Sequence, residues 1–370
     1  MPFYRQQVIL KSLFSIFLRL GLTAFGGPAA HLVIMKQELV DRRRWFSDKS
    51  FMQLWALTQL IPGPNSTELA IHVGLKRAGL RGMCITGLSF IVPAVILTTV
   101  IAALYGEFSA LPYVAPFIFG VQAAVIAVVI WALKPYITGI VYSLPEAILF
   151  VVSLLLSFLG ISELPILFGS AAIWALSAGR FNRTFTLALP AAVSLSGWGL
   201  FGSFFKIGAL LYGSGYVLFS FFHTEFVETG LMPAQVLTDA IAVGQITPGP
   251  VFSSAAFVGF WLDGWSGAAL ASLGIFLPSF IWVYVLHYSF QKLPNHPAVS
   301  RALSALNTAS VALILHTCFE MFWPHRTEWP FSALMVASGL VLVLLPKLNN
   351  VWILLGAGLL AQCLWLFHLI

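Results

Sequence analysis

Apolar runs long enough to cross the roughly 30 Å hydrocarbon core of a bilayer recur from Gly82 to Ile370, separated by short polar loops. That pattern predicts an all-α polytopic membrane protein. Two stretches interrupt it: Gln59-Leu60-Ile61-Pro62-Gly63-Pro64-Asn65-Ser66-Thr67-Glu68 and Gln245-Ile246-Thr247-Pro248-Gly249-Pro250-Val251-Phe252-Ser253-Ser254. In each, Pro-Gly-Pro ends the arm before it, because a residue preceding proline is pushed out of the helical region. The second proline suits the first turn of the next helix. The arms Ser47 to Ile61 and Asn65 to Arg77 would be only about 20 Å long at 1.5 Å per residue, so each hairpin is predicted to enter the membrane and turn back. Irregular backbone at that depth is tolerated only where protein covers it or where it lines a cavity.

The second half of the chain lies on the first with two small shifts. Arg19-Leu20-Gly21 falls on Lys206-Ile207-Gly208, and Phe25-Gly26-Gly27 on Tyr212-Gly213-Ser214. Further on, Pro62-Gly63-Pro64 falls on Pro248-Gly249-Pro250, and Gly74, Gly79, Gly82 and Pro93 fall on Gly259, Gly264, Gly267 and Pro278. Such ordered self-similarity indicates duplication. The predicted domains are 1–183 and 184–370. Each half reads as a first helix broken at a Gly cluster, a polar loop (Lys36 to Ser50 in the first half), the Pro-Gly-Pro hairpin and four spanning segments.

Charge orients this pattern. The loops flanking the first hairpin are basic, whereas those flanking the second, His223 to Gly230 and Asp263 to Gly264, carry acid and no Lys or Arg. Hairpins that turn back leave five crossings per half, hence inverted repeats and about ten spanning helices, a recurrent transporter plan. Hairpins that cross would make the repeats parallel.

Composition narrows the class further. The chain is 59% hydrophobic and 9% charged, against about 25% charged in a typical soluble domain. Its net charge of +6 sits in clusters such as Arg42-Arg43-Arg44, which reads as topology-setting loops and not as a nucleic-acid footprint. The run from Leu13 to Leu18, cut by Arg19, is too short for a signal peptide and is expected to stay in the mature protein. Cys84, Cys318 and Cys363 form no disulfide or metal pattern. No metal spacing, nucleotide loop or nucleophile elbow occurs, so no cofactor is predicted and an enzymatic mechanism has no support.

The candidate chemistry lies at the breaks. Two new helix N-termini offer free N–H groups and about half a positive charge each, which makes an anion site. Arg19 and Lys206 hold equivalent places in the first helix of each half, and a cation inside an apolar helix faces a cavity or a partner. With the two N-termini they would give roughly +3, enough to offset a divalent oxyanion. The alternative is a structural pair with a carboxylate. Gly26, Gly27, Gln59, Gly63, Asn65, Ser66 and Thr67, with Gln245, Gly249, Ser253 and Ser254, complete the candidate anion-binding set; Asn65 and Glu68 also have the spacing of a capping box. Glu68 has no acidic counterpart, since Ser254 lies opposite, and Asp239 faces Gln53. These unpaired acids are the candidate proton carriers, or alternatively partners of Arg19 and Lys206. Glu38 and Glu225 match across the repeat and read as helix-end residues with solvated or loop-pairing roles. His31 and His72 read as packing residues.

These motifs resemble the chromate ion transporter family in its two-domain form. The resemblance rests on Phe25-Gly26-Gly27-Pro28-Ala29-Ala30-His31, Val40, Trp45, Phe51, Gln59 and Pro62-Gly63-Pro64 in the first half. In the second half it rests on Glu225, Gly244-Gln245-Ile246-Thr247-Pro248-Gly249-Pro250, Phe257-Val258-Gly259 and Gly274-Ile275-Phe276-Leu277-Pro278. It implies a secondary transporter that exports chromate across the cytoplasmic (inner) membrane of a prokaryote, driven by the membrane gradient and conferring chromate resistance. Sulfate, another tetrahedral dianion, is the alternative substrate, by import or exchange. Ser214, where relatives favour glycine, and Leu231-Met232, where they favour tryptophan, depart from the pattern. The partners implied are the dianion and the lipid bilayer, with no nucleic acid; a homodimer is an assembly left open.

Overall fold

A chain this apolar has little water to satisfy its backbone, and helices solve the problem by pairing every N–H within the segment. The computed structural model describes residues 2–25, 27–108, 114–141, 143–176, 197–212, 215–289, 297–346 and 348–367; Gly26, Gly213 and Ser214 lie outside them. Among the described residues there is no strand. The first half comprises α1 (Pro2–Thr23), α2 (Gly27–Lys36) with a π-helical extension Gln37–Arg42, α3 (Asp48–Thr58), α4 (Asn65–Phe108), α5 (Val114–Val141), α6 (Leu144–Phe158) and α7 (Glu163–Leu176). The second comprises α8 (Gly197–Leu210), α9 (Val217–Phe222) with a π-helical extension His223–Val227, α10 (Ala234–Ile246), α11 (Ser254–Ser289) after a single 3₁₀ turn, α12 (Pro297–Phe322), α13 (Trp329–Leu344) and α14 (Asn350–Leu366).

Among the described residues, four segments are long and apolar enough to cross a membrane: Asn65–Glu107, Val114–Thr138, Val251–Tyr288 and Ser300–His325. Leu144, Leu159, Trp198 and Leu344 are between 74% and 78% exposed, an apolar surface suited to lipid and not to water.

α4 and α11 each bend sharply at a glycine. Gly79 has φ +63 with ψ −153 and Gly264 φ +55 with ψ −144. This positive-φ extended conformation is open essentially to glycine alone and costs a residue with a Cβ about 1–3 kcal/mol. The short arm before each bend folds back onto the long helix after it. Gly74 meets Gly82 and Gly259 meets Gly267 so closely that an added Cβ would strike a backbone carbonyl. The same logic seats the first helix of each half: Gly21 of α1 lies on the backbone of Ser89 and Phe90, and Gly208 of α8 on that of Ile275. Small residues permit this approach where burial from water supplies no drive. The long parts of α4 and α11 also pack together, with Gly87 against Phe280, while α5 packs on α13 and α14, and α12 on α6 and α7.

Two matched elements differ from the sequence expectation: the stretch after Lys36, read as a polar loop, stays helical to Arg42, and the loop expected from His223 stays helical to Val227. In the first of these, Glu38 is buried, and three arginines around that carboxylate give the segment a reason to remain ordered.

Candidate functional site

The two Pro-Gly-Pro tips are exchanged between the halves. α3 stops at Thr58 because Pro62 and Pro64 remove donors, and α4 begins at Asn65 with fresh amides. Gly63, at φ +129, donates its N–H to the carbonyl of Leu211 at 2.9 Å, just past the end of α8. Gly249, at φ +96, donates likewise to Ala24 at 2.9 Å, just past the end of α1. Leu211 and Ala24 are equivalent positions in the repeat. The long helix of the opposite half closes over each tip: the Ser279 hydroxyl lies against Gly63, and the Ala94 methyl against Gly249. Thr98 donates to Ser253 at 3.3 Å across the same boundary.

The first tip is rich in buried polar atoms without partners. Among the described residues, Gln59 Nε2 and Thr67 Oγ1 have no hydrogen bond, and the Glu68 carboxyl has only the Ser279 hydroxyl beside it. Glu68 is wholly buried, and its carboxyl crowds Gly63 so closely that a Cβ there would collide with it. No backbone hydrogen bond engages the N–H of Asn65 or Ser66 among these residues, so the first turn keeps two open donors. Buried polar groups are nearly always satisfied, so such a cluster marks a place built for something else. At the second tip Gln245 Nε2 is similarly unpartnered, while Ser254 Oγ turns back to the Val251 carbonyl at 2.9 Å.

Two tyrosines missed by sequence reasoning hold the glutamines. The Tyr212 hydroxyl donates to the Gln59 carbonyl, and Tyr216 bonds the Gln245 side chain. Both follow α8, so the entry loop of the second half braces both tips. Their signal in the sequence was weak, being two aromatic residues beside a Gly-rich stretch. Ser279 had a better one, as a hydroxyl next to the matched Pro278.

Arg19 and Lys206 each hold a carboxylate. The Arg19 guanidinium is 2.7 Å from Glu38, which also takes Arg43 at 2.6 Å and Arg42 at 3.4 Å. Burial alone would push the Glu38 carboxyl up, but Arg43 and Arg19 outweigh it and hold the group below the ordinary carboxylate range. Lys206 binds Glu225 at 2.5 Å, and Ser203 donates to the same carboxylate at 3.1 Å. Neither Glu68 nor Asp239 is the salt-bridge partner of these cations. Asp239 instead accepts from the Tyr105 hydroxyl and the Gln122 amide, which bring α4, α5 and α10 together. Gly27 starts α2, and His31 places Nε2 3.1 Å from the Ala24 carbonyl that also receives Gly249.

A family profile described as "Chromate transporter" matches residues 11–176 and 198–362. The chromate transport protein of Cupriavidus metallidurans is 29% identical over 370 residues, covering 95% of this chain and 92% of the relative. The chromate transport protein of Pseudomonas aeruginosa is 29% identical over 380 residues, with 94% and 90% covered. An uncharacterized transporter of Methanocaldococcus jannaschii is 25% identical over 371 residues, with 93% and 92% covered. No solved structure matches.

Proposed function

The chain belongs to the chromate transporter family, a family of membrane transport proteins and not of enzymes, and from that premise we propose that it carries chromate across the cytoplasmic membrane as a secondary transporter. The observation that carries the reading is the pair of buried, unpartnered Nε2 groups of Gln59 and Gln245, at equivalent positions beside the two exchanged tips. With the open amides of Asn65 and Ser66 and the hydroxyls of Thr67 and Ser253, they form a donor set for a tetrahedral oxyanion. Gly63 and Gly249 bring the backbone close, and Gly26, Gly27 and Ser254 complete the proposed lining. In this proposal the hairpins are re-entrant, the repeats are inverted and about ten helices cross the bilayer.

Arg19 and Lys206 enter through a change of partner. Each is neutralised by a carboxylate here and coordinates the anion only when that pair opens. Glu68 and Asp239 are the two candidate carriers of a coupled proton. The direction proposed is export, which would confer chromate resistance.

Chromate flux into inverted vesicles tests the reading. Gln59→Ala and Gln245→Ala are expected to cut flux at least tenfold with the protein still folded; unchanged flux in both would remove the tips from the binding site. A second reading, import or exchange of sulfate, is favoured by the donor set itself, because amides and hydroxyls recognise oxygens and not the central atom. Competition by sulfate at concentrations near those of chromate would support it.

A further inference from the structure

The first tip places a carboxyl where an anion is proposed to bind. Glu68 lies one turn into α4, wholly buried, with its carboxyl pressed against Gly63 and the Ser279 hydroxyl as its one polar neighbour there. Among the described residues no ion pair reaches Glu68. The groups that face it are the Tyr212 phenol from the segment after α8, Ser279 from α11 and, one turn along its own helix, His72, which is paired with His287. Arg19 and Lys206, the nearest candidates for compensation in the sequence, are held by Glu38 and Glu225.

The charge balance is therefore poor for a dianion. The helix N-terminus at the first tip supplies about half a positive charge. An ionised Glu68 more than cancels that, leaving the dianion with nothing to oppose it in a buried site. A neutral Glu68 restores the positive balance and turns its hydroxyl into one more donor for an oxyanion. The second tip presents no such conflict, because Ser254 and Ala94 stand where the first has Glu68 and Ser279. Asp239 is also different: both its oxygens already accept hydrogen bonds, from Tyr105 and Gln122.

We infer that binding of the oxyanion at the first tip obliges Glu68 to take up one proton, so that one proton and one dianion are loaded together. This rests on the anion-binding reading above and adds the carrier and the stoichiometry. The step balances simply: the dianion enters unchanged, and one proton from water joins the Glu68 carboxylate. The loaded site then carries one negative charge less than the dianion alone. An inside-negative potential still expels that species, so export remains possible without exchanging the anion for an inward proton.

Proton uptake measures this directly. Chromate is added to the purified full-length protein in weak buffer across alkaline pH, up to where Glu68 of the anion-free protein is ionised; chromate is a dianion throughout and brings no proton. One proton should leave the solvent per chromate bound, and affinity should fall about tenfold per pH unit on the alkaline side. Glu68→Gln should bind chromate with affinity independent of pH and with no proton uptake. Should that variant not fold, the proton count of the native protein still decides. Binding without proton uptake, uptake of two protons, or binding that requires sodium in place of a proton would each overturn the inference. Absence of chromate and sulfate binding at every pH would instead overturn the anion site itself, and this inference with it.

Discussion

The N–H of Gly63 and the carbonyl of Leu211 are joined at 2.9 Å, although 148 positions separate them, and the bond ties the first tip to the first helix of the other half. Alanine at Gly63 would meet both a φ of +129 and a collision with Glu68 and Ser279. Gly63→Ala is expected to cost about 1–3 kcal/mol of stability and to abolish transport. Gly79→Ala makes the contrast, because its φ is positive but nothing lies within 4 Å, so only the backbone term of about 1–3 kcal/mol is lost, with no collision added. Thermal unfolding in detergent compares the two; equal losses would mean that crowding at the tip is unimportant.

Lys206 and Glu225 form a partly buried pair. Removing either partner leaves the other charge poorly solvated, and Lys206→Met or Glu225→Gln alone should cost about 2 kcal/mol. The double variant should recover most of that stability. Its transport decides the role of the cation: recovered chromate flux would make Lys206 structural, whereas a stable but inactive double variant supports coordination of the anion.

Acid should loosen the first half through Glu38. Its carboxyl is held below the ordinary value of 4.5, so its contribution to stability is complete above about that pH and is lost as pH falls through the lower native value. Melting temperatures measured from neutral to acid pH should drop more steeply for the native protein than for Glu38→Gln over that window. At neutral pH the variant should melt lower, since Arg19 and Arg43 lose their counter-charge. Parallel curves for the two proteins would contradict the pairing.

Asp239 should behave as a shared acceptor. Tyr105→Phe and Gln122→Ala are each expected to cost about 1–2 kcal/mol, because a buried oxygen is left without its donor. The two losses should not add, since both act on one carboxylate. Additive losses would show that the two donors act independently.

Much of the skeleton was legible in the chain. Pro62-Gly63-Pro64 and Pro248-Gly249-Pro250 marked the helix ends, because they are local demands on the backbone, whereas the matched glycines at 74, 79 and 82 were read only as a sign of duplication and serve a bend and a close approach. The exchange of tips was not legible, since a contact between distant segments leaves no local pattern. The Arg19–Glu38 and Lys206–Glu225 pairs did leave a signal. Cation and acid are 19 positions apart in both halves, and a duplicated spacing between opposite charges points to a duplicated pair. Reading Glu38 and Glu225 as helix-end residues hid it. Tyr105 and Gln122 carried no signal, because a phenol and an amide in apolar helices acquire meaning only when Asp239 is beside them.

The exchanged tips also bear on how such a molecule can be divided. Each half ends its opening helix with a carbonyl that its own hairpin never uses, and each hairpin carries an amide whose acceptor is encoded elsewhere in the gene. A first half made by itself would leave the Gly63 amide stranded, so the two halves are expected to mature together, whether as a continuous polypeptide or as separately translated pieces that find each other.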